Sequence, residues 1–235
     1  MNRIHRKSVM AIITTSFFLF QGFFQQLDYK RIFGKHYQSA EDFISTHVWI
    51  ADSLKKTGIN PCTGLAVIFP ELIRYSSIRD KIETAALQSL YIQYGKYYAD
   101  FSIGYFQMKP SFAEGIEKEY LKYAGCGIPE LDTANTAAAR KARIKRLSSL
   151  EGQVRYLCLF MVVMKQKLPQ LSGLVKTREV VLLSAAYNHD YKAEFIELES
   201  ISKKNFFFTG IIPPREKYNY SDIALDFMMK NCGTK

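Results

Sequence analysis

Signals that start and stop helices recur along this 235-residue chain, and they constrain its fold more than any other feature. Asn60 and Pro61 read as an N-cap followed by proline at the first helical position, and Gly58 and Gly95 read as helix ends. Capping boxes, in which a serine and an acidic residue three positions later bond the free amides of a helix start, are predicted at 39–42, 111–114 and 148–151.

Apolar residues between these signals follow the helical period and predict one mostly α-helical domain over 39–231. Helices are expected at about 39–56, 62–76, 79–94, 134–146, 148–167, 177–188 and after Ser221. Strand signals are few, and the stretch 204–212 is the best candidate for a hairpin or an extended loop. The predicted fold class is therefore mainly α, with little or no β structure.

The first 25 residues are predicted to be an export signal or an uncleaved N-terminal anchor. A basic start with Arg3, Arg6 and Lys7 precedes an apolar stretch that polar residues interrupt, and that stretch is shorter than a typical spanning helix. Because no small-x-small cleavage site precedes the polar pair at 25–26, both alternatives stay open. Either one places the rest of the chain outside the cytoplasm, with membrane contact only through an uncleaved segment.

The net charge of +10 suits a polyanionic partner, although solubility alone also explains it. Export disfavours nucleic acid as that partner and favours the cell envelope. The cationic run at 140–146 is interpreted as a solvated helix face. The four cysteines fit an oxidising compartment, and their wide spacing argues against zinc. The sequence leaves the pairing of these cysteines open: Cys62, Cys126, Cys158 and Cys232. For Cys158, a buried free thiol is an equal alternative to a disulfide.

Glu71 is the acidic residue that stands out, because it follows a fully apolar helical stretch in the segment 64–76. Burial of a carboxylate disfavours its charged form and raises its pKa, which suits a general acid that protonates a sugar oxygen. The alternative is a glutamate that turns to solvent at a helix end. Phosphate-binding, dinucleotide, zinc-protease and serine-hydrolase motifs do not occur in the sequence.

Four elements that follow one another along the chain resemble the lytic transglycosylases of the lysozyme-like superfamily. That family has a catalytic Glu ending a helix, a G-L-M-Q-[IL]-x-P loop, a helix with a Glu and a Tyr-Leu pair, and an A-Y-N-A-G turn. The matching residues are Glu71; Gly104, Gln107, Met108 and Pro110; Glu151, Tyr156 and Leu157; and Ala186, Tyr187 and Asn188. Tyr220 stands where the family has the tyrosine of a closing segment, and the resemblance spans roughly residues 55–225.

The resemblance implies a lysozyme-like helical domain that cleaves the glycan strands of peptidoglycan in the bacterial periplasm or envelope, without a metal or cofactor. Glu71 would protonate the oxygen between N-acetylmuramic acid and N-acetylglucosamine. The acetamido group of the substrate would assist, and Glu71 would then act as base on the 6-hydroxyl, giving a 1,6-anhydro end.

By the same resemblance, the loop that begins at Gly104 lines the floor of the sugar groove. Gly104 lets the backbone approach a sugar ring, Gln107 hydrogen-bonds the substrate or Glu71, and aromatic rings stack or exclude water. Further binding residues implied are Tyr105, Phe106, Met108, Tyr187, Asn188 and Tyr220. An alternative for Phe106 and Met108 is simple packing into the interior.

The sequence departs from the family pattern at several positions and leaves other functions open. Leu72 replaces a serine, His189 and Asp190 replace Ala-Gly, and an extra helix is predicted between Glu71 and the loop. A hydrolase on the same scaffold would use a second carboxylate, for which Asp100 and Asp190 are candidates. A non-catalytic envelope protein that binds glycan or a secretion-apparatus partner is the third alternative.

Overall fold

The computed structural model describes residues 27–77, 82–124, 131–210 and 216–233, so the segment 1–25 and Cys126 lie outside the described residues. Within those ranges the chain is mainly helical, as predicted. No described helix has by itself the length and apolar character of a membrane span. The helices are α1 Tyr29–Phe33, α2 Lys35–Thr46, α3 Trp49–Lys56, α4 Pro61–Ser77, α5 Ile82–Tyr94, α6 Pro110–Ala124, α7 Ala137–Leu147, α8 Leu150–Lys167, α9 Lys176–Asn188, α10 Phe195–Ile201 and α11 Tyr220–Asn231.

Two short strands and one 3-10 helix complete the described secondary structure. The 3-10 helix Pro169–Gly173 follows α8, and β1 Asn205–Phe207 pairs antiparallel with β2 Tyr218–Asn219. The predicted strand signal at 204–212 is therefore confirmed in its first half.

The core is built around α4, which packs against α2, α3, α8, α9 and α11. Its residues 66–69 and Ile73 are completely buried. The Phe69 ring lies 4.9 Å from that of Tyr37 on α2 and 4.2 Å from that of Phe227 on α11, measured between centroids. Burial of each large apolar side chain contributes about 1.5–3 kcal/mol. Because neighbours surround α4, its sequence is apolar along almost its whole length rather than on one stripe.

Two of the predicted capping boxes are wrong, because their serines do not begin helices. Ser39 lies inside α2, which starts at Lys35, and Ser111 lies in the first turn of α6. The amide and hydroxyl of Ser111 donate to the Asp100 carboxylate at 2.9 and 2.7 Å. The start of α6 is thus capped from outside the local sequence window. The predicted single helix at 39–56 is likewise two helices, α2 and α3.

Other helix boundaries follow their local signals. The Asn60 side chain accepts the Thr63 amide at 3.2 Å, which confirms the predicted cap before α4. Ser149 accepts the Gly152 amide at 3.1 Å and caps α8, whereas Ser148 ends α7. The third predicted box is therefore also wrong, because the cap is one residue later and Gly152 has no side chain to complete a box. α5 ends at Tyr94, just before Gly95, as predicted.

The arginines of α7 bind neighbouring helices, so the interpretation of 140–146 as a solvated face is wrong for them, whereas Lys141 and Lys145 are exposed as predicted. Arg143 is 1% exposed, and its guanidinium donates to Glu117 of α6 at 2.9 and 2.6 Å and to the Tyr91 hydroxyl of α5 at 2.7 Å. Arg140 donates to two carbonyls near the end of α5 at 2.8 and 2.9 Å. Buried charges of this kind persist because each is paired and hydrogen-bonded.

Cys62 and Cys232 form a disulfide, with their Cα atoms 5.9 Å apart, and thereby join the start of α4 to the end of α11. Cys158 is a buried free thiol in α8, in agreement with the alternative stated for it. The bond closes a loop with a sequence separation of 170 residues, so it removes many conformations from the unfolded chain.

Replacement of both Cys62 and Cys232 by serine should lower the free energy of unfolding by about 2–5 kcal/mol, because the unfolded chain regains those conformations. Urea unfolding of the parent and the double variant measures this difference. Excess reductant is the control and should bring the parent to the stability of the variant. Equal stability of the two proteins without reductant would contradict the prediction.

Candidate active site

A cleft of about 350 Å³ opens beside the second half of α4. Its walls come from α4, from the segment 96–112, and from the end of α9 with the following turn at 186–192. Predicted residues from three of the four sequence elements line it: Glu71, Gln107, Met108, Tyr187 and Asn188. The fold therefore brings residues that are far apart in sequence to one concave surface, which is the usual form of a ligand site.

Glu71 is only 4% exposed although it lines the cleft. Burial raises the pKa of its carboxyl above the ordinary value, while Arg74, Tyr220 and Lys109 oppose this shift. One guanidinium nitrogen of Arg74 contacts both carboxylate oxygens at 2.8 Å. The alternative of a glutamate turned fully to solvent is excluded.

Arg74 was not predicted from the sequence, although its spacing of three residues from Glu71 places the two side chains on one face of a helix. Its Nε donates to the Phe208 carbonyl at 3.4 Å, and its guanidinium carbon lies 4.7 Å from the Phe207 ring centroid. Arg74 therefore connects the carboxylate to the strand region of β1.

Tyr220 is buried at the first turn of α11, outside the cleft lining but beside Glu71. Its hydroxyl donates to the Val67 carbonyl of α4 at 2.9 Å. Burial and then the nearby Glu71 charge raise the pKa of Tyr220 well above its ordinary value, so the phenol stays protonated.

The segment 103–108 forms a tight turn closed by backbone hydrogen bonds between Ile103 and Met108 of 3.0 and 3.2 Å. Gly104 has φ +70° and Gln107 has φ +50°, which is uncommon for a residue with a side chain. The side-chain Nε2 of Gln107 stabilises this backbone conformation by donating to the Gly104 carbonyl at 2.7 Å. Gln107 thus faces the cleft from a backbone conformation that its own side chain supports.

Gln153 of α8 holds this turn in place through buried hydrogen bonds. It was not predicted from the sequence. Its side chain is 1% exposed, accepts the Phe106 amide at 2.8 Å and donates to the Leu147 carbonyl at 2.7 Å. A Cβ on Gly104 would lie 1.6 Å from the Gln153 amide nitrogen. Gly104 is therefore required both by its backbone angle and by this contact.

The apolar residues of the turn point away from open solvent. Phe106 is completely buried and Met108 is 2% exposed, in agreement with the alternative of packing into the interior. Tyr105 packs against Phe43 and Tyr75, with ring centroids 4.6 and 4.5 Å away, and does not line the cleft. Met108 borders the cleft, so the turn contributes mainly Gln107, Met108 and backbone.

Tyr187 connects the end of α9 to this turn. Its hydroxyl donates to the Phe106 carbonyl at 2.8 Å. Burial, and then the nearby Glu71 charge, raises the pKa of Tyr187 well above its ordinary value. The third sequence element lies elsewhere: Glu151 is exposed on α8, and the Tyr156 hydroxyl bonds the buried Glu117.

Two further carboxylates and several cations share the cleft with Glu71. Asp100 caps α6 through Ser111, and Asp190 accepts the Lys192 amide at 2.8 Å. The cations of the lining are Arg74, Lys96, Lys109 and Lys192. A substrate with both hydroxyl and carboxylate groups finds partners for each along this surface.

The comparisons with known proteins found no matching family model, no matching curated protein and no matching solved structure. Within the described ranges, no three His, Cys, Asp or Glu side chains are grouped as a metal ion would require.

Gly104→Ala should destabilise the protein by about 2 kcal/mol or more, because a Cβ is strained at φ +70° and collides with Gln153. The matched control is Gly173→Ala, whose added Cβ would meet nothing within 4 Å and should change stability little. Thermal unfolding of the two variants beside the parent measures the difference. Equal melting temperatures for both variants would contradict the assigned tight turn.

Proposed function

We propose that this protein is a peptidoglycan lytic transglycosylase in which Glu71 is the single acid and base. The observation that carries the proposal is the placement of one nearly buried glutamate at a cleft that Gln107, Tyr187 and Asn188 also line. Burial supplies the raised pKa that a general acid needs near neutral pH, and the neighbours are hydrogen-bonding groups that suit a sugar. The resemblance in sequence order supports the same activity.

The proposed reaction uses one carboxyl group twice. Glu71 in its protonated form gives its proton to the glycosidic oxygen as the carbon–oxygen bond breaks, and the acetamido oxygen of the substrate attacks the anomeric carbon. The Glu71 carboxylate then takes the proton of the 6-hydroxyl, whose oxygen displaces the acetamido group and forms the 1,6-anhydro ring. The proton count balances, and no water or cofactor is consumed.

Arg74 modifies this scheme because it stabilises the carboxylate rather than the acid. A cation in contact with both oxygens of Glu71 lowers its pKa, and burial must outweigh that contact for the acid to be populated. The same cation favours the carboxylate that acts as base in the second step. Arg74 is therefore assigned as a positioning residue that balances the two forms of Glu71.

Hydrolysis is the second candidate function, because two further carboxylates line the cleft. Asp100 and Asp190 both border the cleft with Glu71, and either could supply the carboxylate that orients water in a hydrolase. Asp100 already accepts two hydrogen bonds from Ser111, which restricts its carboxylate. Asp190 is the better candidate for a hydrolase.

Glu71→Gln should lower the cleavage of purified peptidoglycan by about 10²–10⁴-fold, because an amide cannot donate and accept the proton. Mass spectrometry of the released muropeptides measures both rate and product. Anhydro ends from the parent support the proposal, and reducing ends would replace it by hydrolysis. Intact peptidoglycan that still retains the parent protein would indicate a binding protein without catalysis.

The matched control for this experiment is Glu179→Gln. Glu179 is also nearly buried and pairs with Lys176 at 2.6 Å, but it does not line the cleft. Its replacement tests the general effect of losing a buried carboxylate and should leave cleavage close to that of the parent. An equal loss in both variants would show that Glu71→Gln acts through folding.

Arg74→Gln should shift the high-pH limb of kcat/KM to higher pH. The first step needs protonated Glu71, so activity falls as pH rises through the Glu71 pKa, and removal of the Arg74 charge raises that pKa further. Lys109→Gln is the control and should shift the limb in the same direction by less, because Lys109 is exposed. A shift to lower pH in Arg74→Gln would contradict the role of Glu71 as the acid.

A further inference from the structure

A second, smaller cleft of about 160 Å³ adjoins the first one on the other side of Lys96. Tyr94, Lys96 and Tyr97 line it from the end of α5 and the following turn, and Glu114 and Lys118 line it from α6. The segment 133–135 completes the wall. None of the roles assigned above uses this cleft.

The floor of the second cleft is polar and held in place by buried contacts. Glu114 is 9% exposed, accepts the Tyr91 hydroxyl at 2.8 Å and pairs with Lys96 at 3.1 Å. The Tyr91 hydroxyl in turn accepts from the almost fully buried Arg143 at 2.7 Å. A carboxylate fixed in this way is a preorganised acceptor for hydroxyl groups.

Three tyrosines form an exposed aromatic rim beside this floor. Tyr94, Tyr97 and Tyr98 are 50%, 92% and 70% exposed, and the rings of Tyr94 and Tyr98 lie 5.1 Å apart. Gly95, at φ +85°, makes the turn that presents them. Exposed aromatic rings next to a fixed polar floor combine a flat apolar face with hydrogen-bonding groups, which is the chemistry that recognises a sugar ring.

The two clefts lie next to each other along α6. Ser111 and Phe112 line the first cleft, Glu114 and Lys118 line the second, and Lys96 borders both. From Ser111 to Lys118 the helix rises by about 10 Å. A polymer that lies in the first cleft at Ser111 therefore reaches the second cleft within about two turns of this helix.

We propose that the second cleft is a distal binding site for further sugar rings of the same glycan strand that Glu71 cleaves. The rings stack on Tyr94 and Tyr97, and their hydroxyl groups bond Glu114. This inference rests on the proposed function, since it assigns the same polymer to both clefts. It makes the protein selective for long strands over short fragments.

The test measures binding of labelled soluble glycan strands and of a single labelled disaccharide by fluorescence anisotropy. The purified protein carries Glu71→Gln so that strands stay intact. Adding Tyr94→Ala with Tyr97→Ala should weaken the binding of long strands by about tenfold, because two stacking faces are lost, and leave the disaccharide unaffected. Tyr123→Ala removes a 43%-exposed tyrosine of α6 that lines neither cleft, and should change neither Kd.

Each other outcome overturns the inference in a recognisable way. If the added Tyr94→Ala and Tyr97→Ala changes leave the binding of long strands unchanged, the distal site is overturned. The proposed function still stands in that case, provided that the Glu71→Gln protein binds strands and the protein with Glu71 intact cleaves them. Failure of the parent to bind either ligand overturns both. Binding of anionic lipid vesicles that the tyrosine changes abolish, with strand binding unchanged, identifies the rim as a lipid contact.

Discussion

The packing of α4 among its neighbours is the constraint on which the rest of the structure depends. Five other helices pack around it, and its apolar stretch leads directly to Glu71. The position of the carboxylate is thus set by core packing rather than by a loop, which fixes it more precisely than a surface segment could. A buried Glu71 carboxylate needs a partner for its charge, and Arg74 on the next turn of α4 supplies that partner.

Buried amide and hydroxyl groups hold the opposite wall of the cleft. Gln153 satisfies the Phe106 amide, Tyr187 satisfies the Phe106 carbonyl, and Gln107 satisfies the Gly104 carbonyl. The first bond ties the turn to α8, the second ties it to α9, and the third lies within the turn. A turn with two residues at positive φ is kept in one conformation because its polar groups have fixed partners.

Local signals in the sequence predicted α4, α5, α7, α8, α9 and α11, the cap at Asn60 and the burial of Glu71, because each depends on residues within a few positions. Contacts between distant residues were the ones missed. The Asp100 cap of α6 and the pairing of Arg143 with Glu117 join residues that no periodic pattern relates. An arginine run reads as solvated in a sequence, and only the packing of neighbouring helices shows which of its members face inward.

The disulfide between α4 and α11 has a consequence for folding. It joins the helix that carries Glu71 to the helix that carries Tyr220, and such bonds form in oxidising compartments. In a reduced chain these two helices are joined by packing alone. The redox conditions in which the chain folds therefore decide whether the helix of Glu71 and the helix of Tyr220 are also joined by a covalent bond.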